Sequence, residues 1–149
     1  MKVYIATPLD ADKRISAIEL AQNLRAYCID VYAPWEHEIE HAWDYPNNEW
    51  GLMVFDEDVN AIKNVDWVVV LSWGRTETTA GTAWEQGFAY GIGKRVLLVE
   101  MNDSIQSLMM ANGRYATIPG ITNAVQYLID IFEHPYDEVR KLRTTTEQK

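Results

Sequence analysis

The sequence predicts an α/β fold in which one parallel sheet is covered by helices on both faces. Strand-like and helix-like patterns alternate along the whole chain, the pattern that crossover connections produce. The run Asp66-Trp67-Val68-Val69-Val70-Leu71-Ser72 is rich in β-branched residues and reads as a buried strand. The length of 149 residues, 48% of them hydrophobic, suits one domain with a full core.

Val3 to Ala6 reads as the first strand. Asp12 to Cys28 carries Ile15, Ile18, Leu20, Ala21, Leu24 and Tyr27 near helical spacing. Asp30 to Ala33 is a short second strand closed by Pro34, and a polar, aromatic loop runs on to Asn48. Glu49 to Asn64 reads as a helix with Leu52, Met53, Phe55, Val59 and Ile62 near one face. After the third strand, a loop from Trp73 to Ala80 leads to a helix carrying Glu85, and Arg95 to Glu100 is the fourth strand. Asp103 is placed to cap a helix with Ile105, Leu108 and Met109. Arg114 to Ile118 is a short fifth strand, and Ile121 to Phe132 is a last helix ended by Pro135. The expected domain spans residues 1–139, with a polar tail at 140–149 and no repeat or linker.

A net charge of −9 and a pI near 4.7 argue against a nucleic-acid polymer or an anionic membrane as partner. A small-molecule substrate fits better. The single cysteine, Cys28, is expected as a small core residue in a reducing compartment. The chain opens on a strand without a signal-like segment, and no apolar run approaches a membrane span, so a cytoplasmic location is expected.

In such sheets, ligands bind beyond the carboxyl ends of the strands. The turn Ala6 to Asp10, the loop Trp73 to Ala80 and the loop Met101 to Ser104 are expected to meet at that edge. Glu85 lies in Gly81-Thr82-Ala83-Trp84-Glu85-Gln86-Gly87, expected at a helix head, with further glycines at 91 and 93. Glycines there weaken a helix by about 1 kcal/mol each relative to alanine. A close approach by a strand or a ligand would explain them. The spacing fits neither G-x-G-x-x-G nor a P-loop.

His37-Glu38-Ile39-Glu40-His41 matches the H-E-x-x-H zinc pattern literally. It follows Pro34 in a connecting segment, and the other histidine, His134, is remote in sequence, so a solvated acidic helical turn is the expectation. Asp58 follows the apolar run Leu52 to Phe55. Paired with Glu85 it could divide labour, one carboxyl ionised as nucleophile and the other protonated as acid. Tyr4 interrupts an aliphatic strand. Its hydroxyl needs a partner if buried, either backbone or a site group.

These residues resemble the nucleoside 2-deoxyribosyltransferase family. The resemblance runs from Val3 to about Met110 and rests on Val3-Tyr4-Ile5-Ala6-Thr7-Pro8-Leu9, on Phe55 to Asp66, and above all on Gly81 to Gly87 with Gly93-Lys94. It implies a flavodoxin-like three-layer sandwich whose five-stranded parallel sheet has the order 2-1-3-4-5. It also implies transfer of deoxyribose from a 2′-deoxynucleoside to another base through a glycosyl-glutamate. Carried over by position, Glu85 is the nucleophile, Tyr4 orients it, and Asp58 serves the leaving base. Ala6, Thr7, Asp10, Thr79, Gly81, Ser107 and Met109 are expected to contact substrate. Ser107 and Met109 would complete a neighbour's site, so a homo-oligomer is expected. No metal or organic cofactor is implied.

Two positions depart from the transferase pattern. Thr79 stands where an aspartate is usual, and Ser107 where an asparagine is usual. Hydroxyls there resemble the related 2′-deoxynucleoside 5′-monophosphate N-hydrolases, in which water takes the sugar. Hydrolysis is therefore the first alternative, and a non-catalytic nucleotide-binding module the second. Loop 34 to 48 is expected to set base preference through Trp35, His37 and Trp43.

Overall fold

The computed structural model describes residues 1–137; the expected tail at 140–149 lies outside them. The strands are β1 (Lys2–Ala6), β2 (Asp30–Tyr32), β3 (Trp67–Ser72), β4 (Arg95–Glu100) and β5 (Ala116–Pro119). All pairings are parallel, in the order β2-β1-β3-β4-β5. The helices are α1 (Ala11–Ala26), α2 (Asn47–Lys63), α3 (Ala80–Gly91), α4 (Leu108–Asn112) and α5 (Ile121–Glu133).

Strand side chains alternate between the two faces. Val3, Ile5, Trp67, Val69, Leu71, Leu97 and Val99 pack with Leu20 and Leu24 of α1 and Leu128 of α5. Tyr4, Ala6, Val68, Val70, Val96 and Leu98 pack with Ile62 of α2, Ala89 of α3 and Met110 of α4. Each aliphatic side chain of this size contributes roughly 1.5–3 kcal/mol when fully buried. Every residue of β3 is buried, as its central place demands.

Several expectations are corrected. Cys28 is exposed rather than in the core, because α1 ends at Ala26 and Cys28 turns the chain at φ 62°. The buried stripe of α1 is Ala17, Leu20, Ala21 and Leu24, whereas Ile15, Ile18 and Tyr27 are exposed. Only Ile62 of the apolar set on α2 is fully buried, and Leu52, Met53 and Phe55 are exposed. Asp103 is not the cap of α4. The helix begins later, at Leu108, where the Ser107 hydroxyl accepts from the Met110 N–H at 3.1 Å.

Gly81, Gly87 and Gly91 face open space, so no neighbouring strand requires them. Gly93 has a different cause. At φ 82° it closes α3 by a Schellman turn, with its N–H on the Tyr90 carbonyl and the Lys94 N–H on that of Ala89. The close approach occurs instead at Gly74, where a Cβ would come within 2.5 Å of the Ser104 Cβ. There the buried Ser72 hydroxyl donates to Gln106 Oε1 at 2.5 Å and meets Thr78 Oγ1 at 3.1 Å. The loops after β3 and β4 are thereby clipped together. Lys13, in the first turn of α1, joins them to the β1 side by donating to the Glu77 carbonyl at 2.9 Å. The three segments expected to meet at the carboxyl edge therefore do so.

No helix among the described residues is long and apolar enough to cross a membrane.

Candidate active site

A cavity of about 520 Å³ opens at the carboxyl edge of β1 and β3. Glu85 and Asp58 both line it. Glu85 projects from the second turn of α3, not from its head, because α3 begins at Ala80. Thr79 caps that helix, its hydroxyl accepting from the Thr82 N–H at 3.4 Å and meeting Thr82 Oγ1 at 3.0 Å. Asp58 comes from the middle of α2, which starts directly after Pro46.

Tyr4 is fully buried in β1, and its hydroxyl donates to Glu85 Oε2. Of the two partners left open by sequence, the site group is the one found. The bond crosses from the sheet to α3 and fixes the carboxylate against the core. Burial pushes the Glu85 carboxyl up to about 7, opposed by the Tyr4 hydrogen bond and assisted by the charge of Asp58. Burial also pushes Asp58 up to about 6, with Glu57 adding to the rise and His37 opposing it. Tyr4 itself is raised far out of reach of titration, chiefly by burial and then by Glu85. Two carboxyls coupled in this way titrate as a pair. The Tyr4 hydrogen bond favours the ionised form at Glu85, and burial together with the charge of Asp58 outweighs it.

Much of the remaining cavity wall comes from three segments. Thr7 and Leu9 belong to the turn after β1, Thr79, Gly81 and Thr82 to the start of α3, and Trp35, His37 and Trp43 to the segment before α2. Ala6 is buried between the wall residues Ile5 and Thr7. Asp10 lies in an adjoining cleft, paired with Lys13 at 3.1 Å. Ser107 and Met109 line a separate cleft of about 390 Å³ beside α3, with Ala83, Gly87 and Tyr90. Met109 is 84% exposed.

The H-E-x-x-H segment is not helical. It runs irregularly between the 3-10 turns Pro34–Glu36 and Ala42–Asp44, and His41 has φ 55°. His37 stacks on Tyr32, whose ring lies over Tyr4, whereas His41 meets the edge of Trp43. The two imidazoles therefore share no helix face. Among the described residues no group of three or more His, Cys, Asp or Glu could hold a metal ion.

Sequence reasoning missed Trp50, Val54 and Glu57, which also line the cavity. Their signal was available, since positions 50, 54, 57 and 58 form one helical stripe. Arg14, in the first turn of α1, is also part of the wall. Tyr32 was unmarked. Its buried hydroxyl has no hydrogen-bond partner among the described residues, and burial pushes it up to about 12, with Glu57 and Asp58 adding to the rise.

The family model of nucleoside 2-deoxyribosyltransferases matches residues 3–135. The chain belongs to this family. Among solved structures it is similar to a 2-deoxyribosyltransferase of Bacillus psychrosaccharolyticus, at 27% identity and a TM-score of 0.73 over 84% of this chain and 90% of that one. A conserved protein of Enterococcus faecalis shares the fold at 17% identity and a TM-score of 0.71, over 85% and 95% of the two chains. So does the Clostridium botulinum CMP N-glycosidase BcmB, at 16% identity and a TM-score of 0.57 over 86% and 98%. No match is found among curated proteins. Membership ties this nucleoside 2-deoxyribosyltransferase-family chain to chemistry at N-glycosidic bonds.

Proposed function

We propose that the protein cleaves the N-glycosidic bond of a 2′-deoxynucleoside, free or as its nucleotide, and transfers the deoxyribosyl group to a second nucleobase. The Tyr4 hydroxyl donated to Glu85 inside the cavity that also holds Asp58 carries this reading. Ionised Glu85 attacks C1′, and the C1′–N bond breaks through an oxocarbenium-like transition state. The bonding pair leaves with the base nitrogen, which takes the proton from Asp58. A glycosyl ester on Glu85 results. The incoming base then attacks C1′ from the vacated side and returns its proton to Asp58. The ester pair goes back to Glu85, and configuration is retained. Trp35, His37 and Trp43 offer flat surfaces to the bases.

The protein is expected to work as a homo-oligomer. Leu108, Met109, Trp84 and Tyr90 present exposed apolar surface around the cleft that holds Ser107. Covering that surface with a second copy would bring Met109 to a neighbour's site.

The test is product analysis by chromatography. A 2′-deoxynucleoside is incubated with a different free base, and its 5′-monophosphate is incubated in the same way. Exchange of the base, absent with Glu85→Ala, is the expected result. Release of free sugar with no exchange would mean that water is the acceptor. Neither product from either donor would sink the enzymatic reading and return the chain to a binding module.

A further inference from the structure

Tyr4 and Tyr32 are register partners on the adjacent strands β1 and β2. Both side chains therefore stand on the face of the sheet that α2 and α3 cover. Their rings stack 5.5 Å apart at 9°. The His37 imidazole stacks on Tyr32 as well, at 4.2 Å and 3°. Held by two flat neighbours, the Tyr32 ring keeps its hydroxyl in one place.

The two tyrosines differ in what their hydroxyls meet. Tyr4 donates to Glu85. The Tyr32 oxygen is buried and has no hydrogen-bond partner among the described residues. A buried hydroxyl left unpaired is unfavourable and calls for an explanation. Burial and the charges of Glu57 and Asp58 keep it protonated, so it is a donor throughout the neutral range. Those two acids are successive residues of α2, and both line the cavity. Glu57 already faces His37, whose Nδ1 lies 3.9 Å from its Oε1. Asp58 accepts no hydrogen bond and forms no ion pair among the described residues.

The sheet thus offers one tyrosine to each carboxyl of the site, with the bond to Glu85 made and the bond to Asp58 unmade. That difference matches the two roles in the proposed reaction. Glu85 attacks as an anion and uses a donor from the start. Asp58 carries a proton and becomes an anion only when the base has taken it. We propose that Tyr32 is a positioning residue that donates a hydrogen bond to Asp58 once Asp58 has given its proton to the leaving base. The inference rests on the glycosyl-transfer reading. Asp58 turns toward the hydroxyl, since the stacked ring is fixed. The Asp58 proton passes to the base nitrogen, and Tyr32 keeps its own. When the incoming base returns a proton to Asp58, the bond opens again. Tyr32 is absent from the cavity wall, so it acts through Asp58 and not on the substrate.

Tyr32→Phe removes the oxygen and keeps the ring stack, and the hydroxyl has no bond in the fold to lose. Asp58 is titrated by carbon-13 NMR of its carboxyl in Glu85→Gln protein, where the coupled Glu85 no longer ionises. Adding Tyr32→Phe should raise the Asp58 midpoint by about 1–2 pH units, the worth of a hydrogen bond to a charged group, with Glu57 little moved. With Glu85 intact, Tyr32→Phe should lower kcat roughly tenfold and leave KM within about threefold. In an Asp58→Asn background the same substitution should change kcat by less than about twofold. An unmoved Asp58 midpoint, a rise at Glu57 in its place, or a kcat loss undiminished in the Asp58→Asn background overturns the proposal. A raised midpoint with neither base exchange nor base release by the unmodified protein would sink the glycosyl-transfer reading and still support Tyr32 as the donor to Asp58.

Discussion

Replacing Glu85 by Gln should stabilise the folded protein at alkaline pH while abolishing turnover. Glu85 is mostly buried, and its carboxyl rises from an ordinary value of 4.5 to about 7. Desolvation is the largest cause, and the charge of Asp58 adds to it. The folded state therefore holds a proton that the unfolded chain has already lost. Stability is fully present below about pH 4.5 and is lost as pH climbs through 7. At about 1.4 kcal/mol for each pKa unit, ionising Glu85 in place costs about 3 kcal/mol by pH 8. Glutamine has nearly the same shape, keeps an oxygen for the Tyr4 hydroxyl and cannot ionise. Urea unfolding at pH 4.5 and pH 8 measures the difference. The unmodified protein and Glu85→Gln should be close at pH 4.5, and the variant should be more stable by about 3 kcal/mol at pH 8. Equal stability at both pH values, or a variant less stable at pH 8, would refute the claim that Glu85 is ionised against its surroundings.

Asp58→Asn should lower kcat by roughly 10²–10⁴-fold, because the leaving base loses its acid. It should also move the acidic limb of the pH–rate profile downward, since the charge of Asp58 no longer raises Glu85. Tyr4→Phe should move that limb upward by removing the hydrogen bond that holds Glu85 down. A profile unmoved by Tyr4→Phe would separate this tyrosine from the nucleophile. Met109→Lys should place a charge in the exposed apolar patch beside α3. Sedimentation should then report monomers with little activity, whereas an active monomer would contradict a shared site.

The layered α/β architecture was legible because its signals are local. β-branched runs, helical spacing and Pro34 mark the elements, and parallel pairing follows from their alternation. Glu85, Asp58 and Tyr4 were found through a motif and a resemblance. The structure adds that two of them meet, Tyr4 reaching Glu85 from the sheet across 81 positions of sequence. Element ends were less legible. Ser107, not Asp103, starts α4, because capping depends on which side chain meets a free N–H. Cys28 read as core because its neighbours repeat like a helix, whereas α1 has already ended.

The sequence alone determined the order of elements, the acidic character and the identity of the candidate nucleophile. The first and the last rest on residues close together in the chain, and the acidic character is a sum over its whole length. Tertiary structure alone decided which charges share a cavity. Lys13 and Arg14 are adjacent in sequence, yet one pairs with Asp10 outside the cavity and the other lines it, its Nη2 on the Leu9 carbonyl and its Nε without a partner among the described residues. Successive side chains on a helix point about 100° apart, so neighbours in sequence meet different surroundings. Only the packing of α1 against the sheet fixes which of the two faces the cavity.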